Sequence, residues 1–192
     1  MELRIALAVW LFALVHIDTL VMLVAFCTDE QYELPEILIG HYVGFSIGLF
    51  AAVAGALVLA DLLADTAFLL GIVPIILGIW MLTQRRQDHV ARPVLPARGP
   101  VRRALVVAGA GVGVSGENIA VFVPVFIGLQ PVELATVVVS YLILAGVVFV
   151  VAWEIGTRLL SARIPRWIDT LLVPGTLMLV GVYVLVAGLI AA

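Results

Sequence analysis

Two carboxylates, Asp18 and Glu117, stand inside apolar stretches of this 192-residue chain. Each lies about 13 residues into its stretch, so at 1.5 Å per helical residue it sits roughly 20 Å along, near the centre of a bilayer. A charged side chain there costs about 2.5–3.5 kcal/mol even on the most lenient insertion scale, and is by default a functional residue. The neighbours are polar as well: His16-Ile17-Asp18-Thr19 around the first acid, Ser115-Gly116-Glu117-Asn118 around the second. Two acids, an imidazole, an amide and hydroxyls offer oxygen and nitrogen ligands. A divalent cation between the acids neutralises both and removes the cost of burying them. Protons do the same one at a time, so the pair suits an exchanger of metal ions and protons. The plainer use of such acids is as protonated glue between helices.

His16 and Asp18 are about 200° apart on a regular helix and share a face only where the helix is unwound. In the second stretch, Gly109, Gly111, Gly113 and Gly116 precede Glu117 and Pro124 follows it. These residues mark either a helix break or close small-residue packing. Pro74 and Pro174 fall in the same break-or-packing class. His41, in Gly40-His41-Tyr42-Val43-Gly44, is a candidate entrance ligand or a hydrogen-bonded interfacial histidine. Met22 shares the face of Asp18 and reads as packing. Cys27 lies on the opposite face and is the only cysteine, so it forms no internal disulfide or C-x-x-C pair. Glu154, beside Trp153, reads as interfacial.

The elements that must position these groups follow from composition. Hydrophobic residues make up 64% of the chain and charged residues 12%, against about 45–50% and 25% in a soluble domain. Soluble and disordered chains are excluded, and a polytopic membrane protein remains. Six apolar stretches, about 5–27, 38–60, 66–83, 104–127, 132–156 and 168–190, are each long enough to span, the third barely so. They lack period-2 alternation, which predicts helices and not a barrel. The first is too long for a signal-peptide core and is interrupted by His16 and Asp18, so it is expected to be retained.

All ten basic residues are arginines, and nine fall in two segments, 84–103 and 157–167. The positive-inside rule puts both segments in the cytoplasm and both termini outside a plasma-membrane, multi-pass protein. Trp80, Trp153 and Trp167 fall at the same interface. The polar segment 84–103, broken by Pro93, Pro96 and Pro100, is a cytoplasmic linker between 1–83 and 104–192. Net charge is −3, which suggests no nucleic-acid partner. The expected partners are the lipid bilayer, divalent metal ions and protons. No permanently bound cofactor is expected, and a homo-oligomer is left open.

The two parts echo each other. Asp18 is followed by Pro74 after 56 residues, and Glu117 by Pro174 after 57. Leu69-Leu70-Gly71-Ile72-Val73-Pro74 resembles Leu171-Leu172-Val173-Pro174. With three spans in each, the parts must be inverted relative to one another, a common transporter plan with the site at the midplane between repeats. The expected fold is therefore all-α, six transmembrane helices arranged as two inverted three-helix repeats.

These motifs resemble the CadD-type cadmium resistance transporters, within the LysE superfamily of exporters. That family's Asn-Ile-Asp-Asp-like element is matched by His16-Ile17-Asp18-Thr19, and its Gly-Gln-Tyr-Leu-Gly-Phe by Gly40-His41-Tyr42-Val43-Gly44-Phe45. Its Leu-Leu-Gly-Leu-Ile-Pro-Ile-x-Leu-Gly-Ile is matched by Leu69 to Ile79. Its Gly-Gly-Asp-Asn-Ile with a later Pro-x-Phe is matched by Ser115-Gly116-Glu117-Asn118-Ile119 and Pro124-Val125-Phe126. Val173-Pro174 and Gly181-Val182-Tyr183-Val184-Leu185 fit its last helix. The resemblance implies a six-helix exporter that removes divalent metal, cadmium or a similar ion such as zinc, from the cytoplasm. The departures fall at the presumed site: His16 for Asn, Thr19 for Asp, His41 for Gln and Glu117 for Asp. One carboxylate is lost and two imidazoles appear, which suit zinc, copper and nickel better than magnesium, calcium or manganese.

Two other readings differ in class. An exporter of an amino acid or other small solute needs a partner for an α-carboxylate, and the spans contain no arginine. A membrane subunit that transports nothing does not require two acids at matched depth. A thiol-redox enzyme is excluded by the single cysteine, and an aspartyl protease by the absence of its Gly-x-Gly-Asp motif; no enzyme is expected.

Overall fold

Backbone N–H and C=O groups in a chain this apolar have no water to bond, and helices satisfy them locally. The computed structural model describes residues 9–13, 15–62, 66–83, 98–158 and 173–191, and every regular element among them is helical. After helical residues 9–13 come α1 (Ile17–Cys27), α2 (Leu34–Leu62), a 3₁₀ turn (Ala67–Gly71), α3 (Ile72–Thr83), α4 (Pro100–Ile127), α5 (Pro131–Arg158) and α6 (Val173–Ala191). Among the described residues three helices are long and apolar enough to cross a membrane, at Leu34–Ala60, Pro100–Ile127 and Pro131–Arg158. The expected residues 5–8 of the first span, 168–172 of the last, most of the linker, and Arg163, Arg166 and Trp167 lie outside the described residues.

Helix starts differ from the apolar stretches for a definite reason. The Glu36 carboxylate accepts the Glu33 N–H at 3.0 Å, and the Glu133 carboxylate accepts the Gln130 N–H at 3.0 Å. Each acid binds a donor that the helix leaves unused. Pro100 and Pro131 open α4 and α5, where the missing proline N–H costs nothing. Helices therefore begin at 34 and 100, four residues before their apolar stretches. The third stretch is not one α-helix: the 3₁₀ turn occupies its start, and Pro74 falls in the first turn of α3.

The helices associate chiefly in three pairs, α2 with α4, α3 with α6 and α1 with α5. In α2, Gly40, Gly44 and Gly48 bring backbones into contact: a Cβ on Gly44 would lie 2.6 Å from the Ala108 carbonyl oxygen, and one on Gly48 2.6 Å from Ser115 Oγ. Contacts advance together along both chains, so α2 and α4 run parallel. A Cβ on Gly156 would lie 2.8 Å from Cys27 Cβ, while Phe12 lies 4.8 Å from Tyr141, so the first span and α5 are also parallel. In the third pair Gly71 meets Gly181 and Leu185 while Gly181 meets Ile75, which makes α3 and α6 antiparallel. The core between the first, second, fourth and fifth spans is aromatic, with Phe12, Phe45, Phe122, Phe126 and Tyr141 buried. Outer faces carry exposed Phe50, Val58, Val139 and Ile143, the inside-out pattern of a surface that meets lipid.

Candidate functional site

The interruption expected near the acids occurs in the first span, not in α4. His16 is a turn residue (φ −90°, ψ 16°) between helical residues 9–13 and α1. Its backbone N–H still reaches the Phe12 carbonyl at 3.1 Å. Asp18 thereby falls in the first turn of α1, where the helix dipole favours a negative charge. The Thr19 N–H donates to Asp18 Oδ1 at 2.6 Å, with Thr19 Oγ1 at 3.4 Å from the same oxygen.

In α4 the helix runs unbroken through the four glycines and Pro124. Gly116 neither breaks α4 nor packs: a Cβ there would meet nothing within 4 Å among the described residues. Helical glycine keeps its own N–H and C=O bonded, so it does not force a break. Of the four glycines, Gly111 is the one against a neighbour, Gly44. Pro124 is buried inside the helix, and Pro174 lies in α6.

Asp18 and Glu117, both half-buried, come from different helix pairs and lie within electrostatic reach of one another. His16 is 1% exposed and stacks on Phe12 with ring centroids 3.7 Å apart. Phe45 and Phe122 close around it at 5.5 and 6.0 Å. Its Nδ1 bonds the Phe12 carbonyl at 2.8 Å, so Nδ1 carries the proton, while Nε2 is buried with no hydrogen-bond partner among the described residues. Asn118 is buried, and its Oδ1 is likewise without a partner.

The remaining candidates are engaged elsewhere. Ser115 Oγ donates to the Gly111 carbonyl at 2.7 Å. His41 Nε2 donates to the Ala145 carbonyl of α5 at 3.1 Å, and the Tyr42 hydroxyl to that of Leu142 at 3.2 Å. Phe45 lies between His41 of its own helix, at 6.2 Å, and His16 of the first span, at 5.5 Å. Among the described residues no three His, Cys, Asp or Glu side chains form a metal-ligating group. Met22 and Cys27 pack in the apolar cluster around Leu23 and Phe149. Glu154 pairs with Arg158 at 2.6 Å on the surface of α5.

Sequence reasoning missed the ion pair between Glu36 and Arg103, the aromatic shell of Phe45, Phe122 and Tyr141, and the glycine seam of α2. Two signals were present: Gly at 40, 44 and 48, and an acid three residues after Glu33 and after Gln130. A cavity of about 380 Å³ lies between Glu33, Ile39, Gly40, Val101 and Ala104, and neither central acid lines it.

The family model described as cadmium resistance transporter matches residues 12–191. No curated protein and no solved structure matches the chain. The match takes in both acids, all six helices and the segment that joins the two parts, and the chain belongs to the cadmium resistance transporter family.

Proposed function

We propose that this membrane transporter carries a divalent heavy-metal cation, cadmium or a similar ion such as zinc, out of the cytoplasm in exchange for protons. The exchange takes place at a midplane site made by Asp18 and Glu117. The observation that carries this reading is that the two acids, one on each side of the 84–103 segment, lie within electrostatic reach across the α1–α4 contact. Two ionised carboxylates facing each other in a medium of low dielectric repel, and each is poorly solvated. A divalent ion relieves both charges at once, and protons relieve them in its absence. One pair of groups therefore holds cargo and counter-ion by turns, never both.

The helix pairing supports two inverted three-helix repeats. An axis in the membrane plane that exchanges the halves turns the parallel α2–α4 pair into the parallel α1–α5 pair. The same axis leaves α3 and α6 antiparallel and paired with each other. Glu36 and Glu133 then correspond as the capping acids of α2 and α5. The arginine bias puts the α1–α2 and α3–α4 connections on the cytoplasmic side of the plasma membrane.

The test is survival and metal accumulation in cells with and without the protein, across Cd, Zn, Ni, Co and Mn. Asp18→Asn and Glu117→Gln should each remove resistance while the protein still reaches the membrane. Full resistance in both variants would refute the carboxylate site.

A further inference from the structure

Five polar side chains besides the two central acids are candidate ligands, and the structure divides them by whether their polar atoms are already used. The Ser115 hydroxyl and His41 Nε2 are bonded to backbone carbonyls, and Thr19 is turned onto Asp18. Two buried side-chain atoms among the described residues have no partner, His16 Nε2 and Asn118 Oδ1. A buried polar atom left unpaired costs about 1–3 kcal/mol, so each calls for a ligand.

Both atoms are acceptors. The Phe12 carbonyl fixes the proton of His16 on Nδ1, so in the neutral ring Nε2 presents a lone pair. An amide oxygen presents two. They also lie at neighbouring levels. The His16 ring faces Phe122 at 6.0 Å, and Asn118 is four residues before Phe122, one turn lower on α4. Asp18 follows His16 by two residues, and Glu117 adjoins Asn118.

Building on the carboxylate reading above, we propose that His16 Nε2 and Asn118 Oδ1 are the two neutral ligands of the transported ion, and that the imidazole selects borderline transition cations of the zinc class over manganese and other hard ions. An imidazole nitrogen binds ions of the first kind well and the second poorly, whereas an amide oxygen discriminates little. A carbonyl accepting from the opposite ring nitrogen orients a ligating histidine and strengthens it, as the Phe12 carbonyl does here. With the two acids, these two neutral ligands would number four, the coordination number zinc adopts; in this structure His16 and the acids do not stand together as a ligating group, so the set would assemble around the ion. The aromatic shell of Phe12, Phe45 and Phe122 keeps the ring from turning away.

The experiment uses the untagged protein in lipid nanodiscs, on a His89→Gln background that leaves His16 and His41 as its two imidazoles. Equilibrium binding of Zn²⁺ and Mn²⁺ is measured for this protein and for His16→Asn, Asn118→Leu, His41→Gln and Asp18→Asn. His16→Asn should weaken Zn²⁺ binding by about 10-fold or more and leave Mn²⁺ within about twofold. Asn118→Leu should weaken both ions, and His41→Gln neither. Pulsed EPR with Cu²⁺ as probe should show imidazole nitrogen, lost in His16→Asn and kept in His41→Gln. Absence of imidazole nitrogen from the starting protein overturns the proposal without reference to any variant. Unchanged Zn²⁺ affinity in His16→Asn, with binding lost in Asp18→Asn, also overturns it: Nε2 then holds only water, and the carboxylate site stands. Zn²⁺ binding that survives Asp18→Asn removes the carboxylate reading itself.

Discussion

Glu36 and Arg103 meet edge to edge: guanidinium Nε and Nη2 each donate at 2.6 Å to a separate carboxylate oxygen, 67 residues apart in sequence. The same carboxylate caps α2 through the Glu33 N–H. One acid therefore fixes the start of α2 and ties it to the start of α4. The two helices then stay in register down the seam of Gly40, Gly44 and Gly48 to the depth of Ser115.

The two halves of this pair are not equally replaceable. The Glu36 side chain is 6% exposed and that of Arg103 21%. Arg103→Met strands a covered carboxylate, whereas Glu36→Gln keeps an oxygen for the cap and leaves a guanidinium that can turn to water. Arg103→Met should lower the midpoint of denaturant unfolding in mixed micelles more than Glu36→Gln does. The reverse order would mean that the cap outweighs the ion pair.

The glycines separate into two classes. A Cβ on Gly44 meets a backbone oxygen that cannot move aside, so Gly44→Ala should destabilise by about 1–3 kcal/mol, as overpacking does. A Cβ on Gly116 meets nothing within 4 Å among the described residues, and Gly116→Ala should be neutral or stabilise by up to about 1 kcal/mol through helix propensity. Unfolding of both variants in the same micelles checks the contrast. A loss at Gly116 equal to that at Gly44 would reveal a neighbour across that face.

Sidedness can be read with thiols. On a Cys27→Ala background, a cysteine at exposed Gln130 should react with an impermeant reagent in intact cells, and one at exposed Gln31 should not. Labelling at Gln31 from outside would invert the orientation.

Coupling is tested in proteoliposomes. A Cd²⁺ or Zn²⁺ gradient should drive protons in the opposite direction, and an opposed pH gradient should accelerate metal movement. Asp18→Asn or Glu117→Gln should remove both effects. Metal flux of full size that never moves protons would keep the site and refute the exchange.

The helical fold was legible because apolar runs without alternation have one solution in lipid. The boundaries at Leu34 and Pro100 were not, since caps and leading prolines extend helices beyond the apolar run. The two acids stand out in the sequence by their depth, and the structure brings them within electrostatic reach of one another. Unwinding is the condition for His16 and Asp18 to share a face, and a break is one of two readings of the α4 glycines; the turn occurs at His16, where the ring nitrogen and backbone of one residue both bond the Phe12 carbonyl, and α4 runs unbroken. Which helices pair depends on contacts more than 60 residues apart, such as Gly40 with Ala104. Local periodicity carries no such information, although the spacing of the α2 glycines marked the surface that approaches. That His41 bonds Ala145 also depends on a helix 104 residues away.

Asp18 rides on the α1–α5 pair and Glu117 on the α2–α4 pair, so any relative displacement of the pairs moves two formal negative charges and whatever neutralises them. In the exchange proposed above, the assembly with a divalent ion aboard is electrically silent, and so is its return with two protons. Return with a single proton leaves one negative charge on the moving parts and makes each cycle export one net positive charge. Membrane potential acts on such a cycle with about 2.3 kcal/mol per charge per 100 mV. Under that exchange, two acids shared between two helix pairs would make voltage sensitivity a direct count of the protons exchanged for each ion.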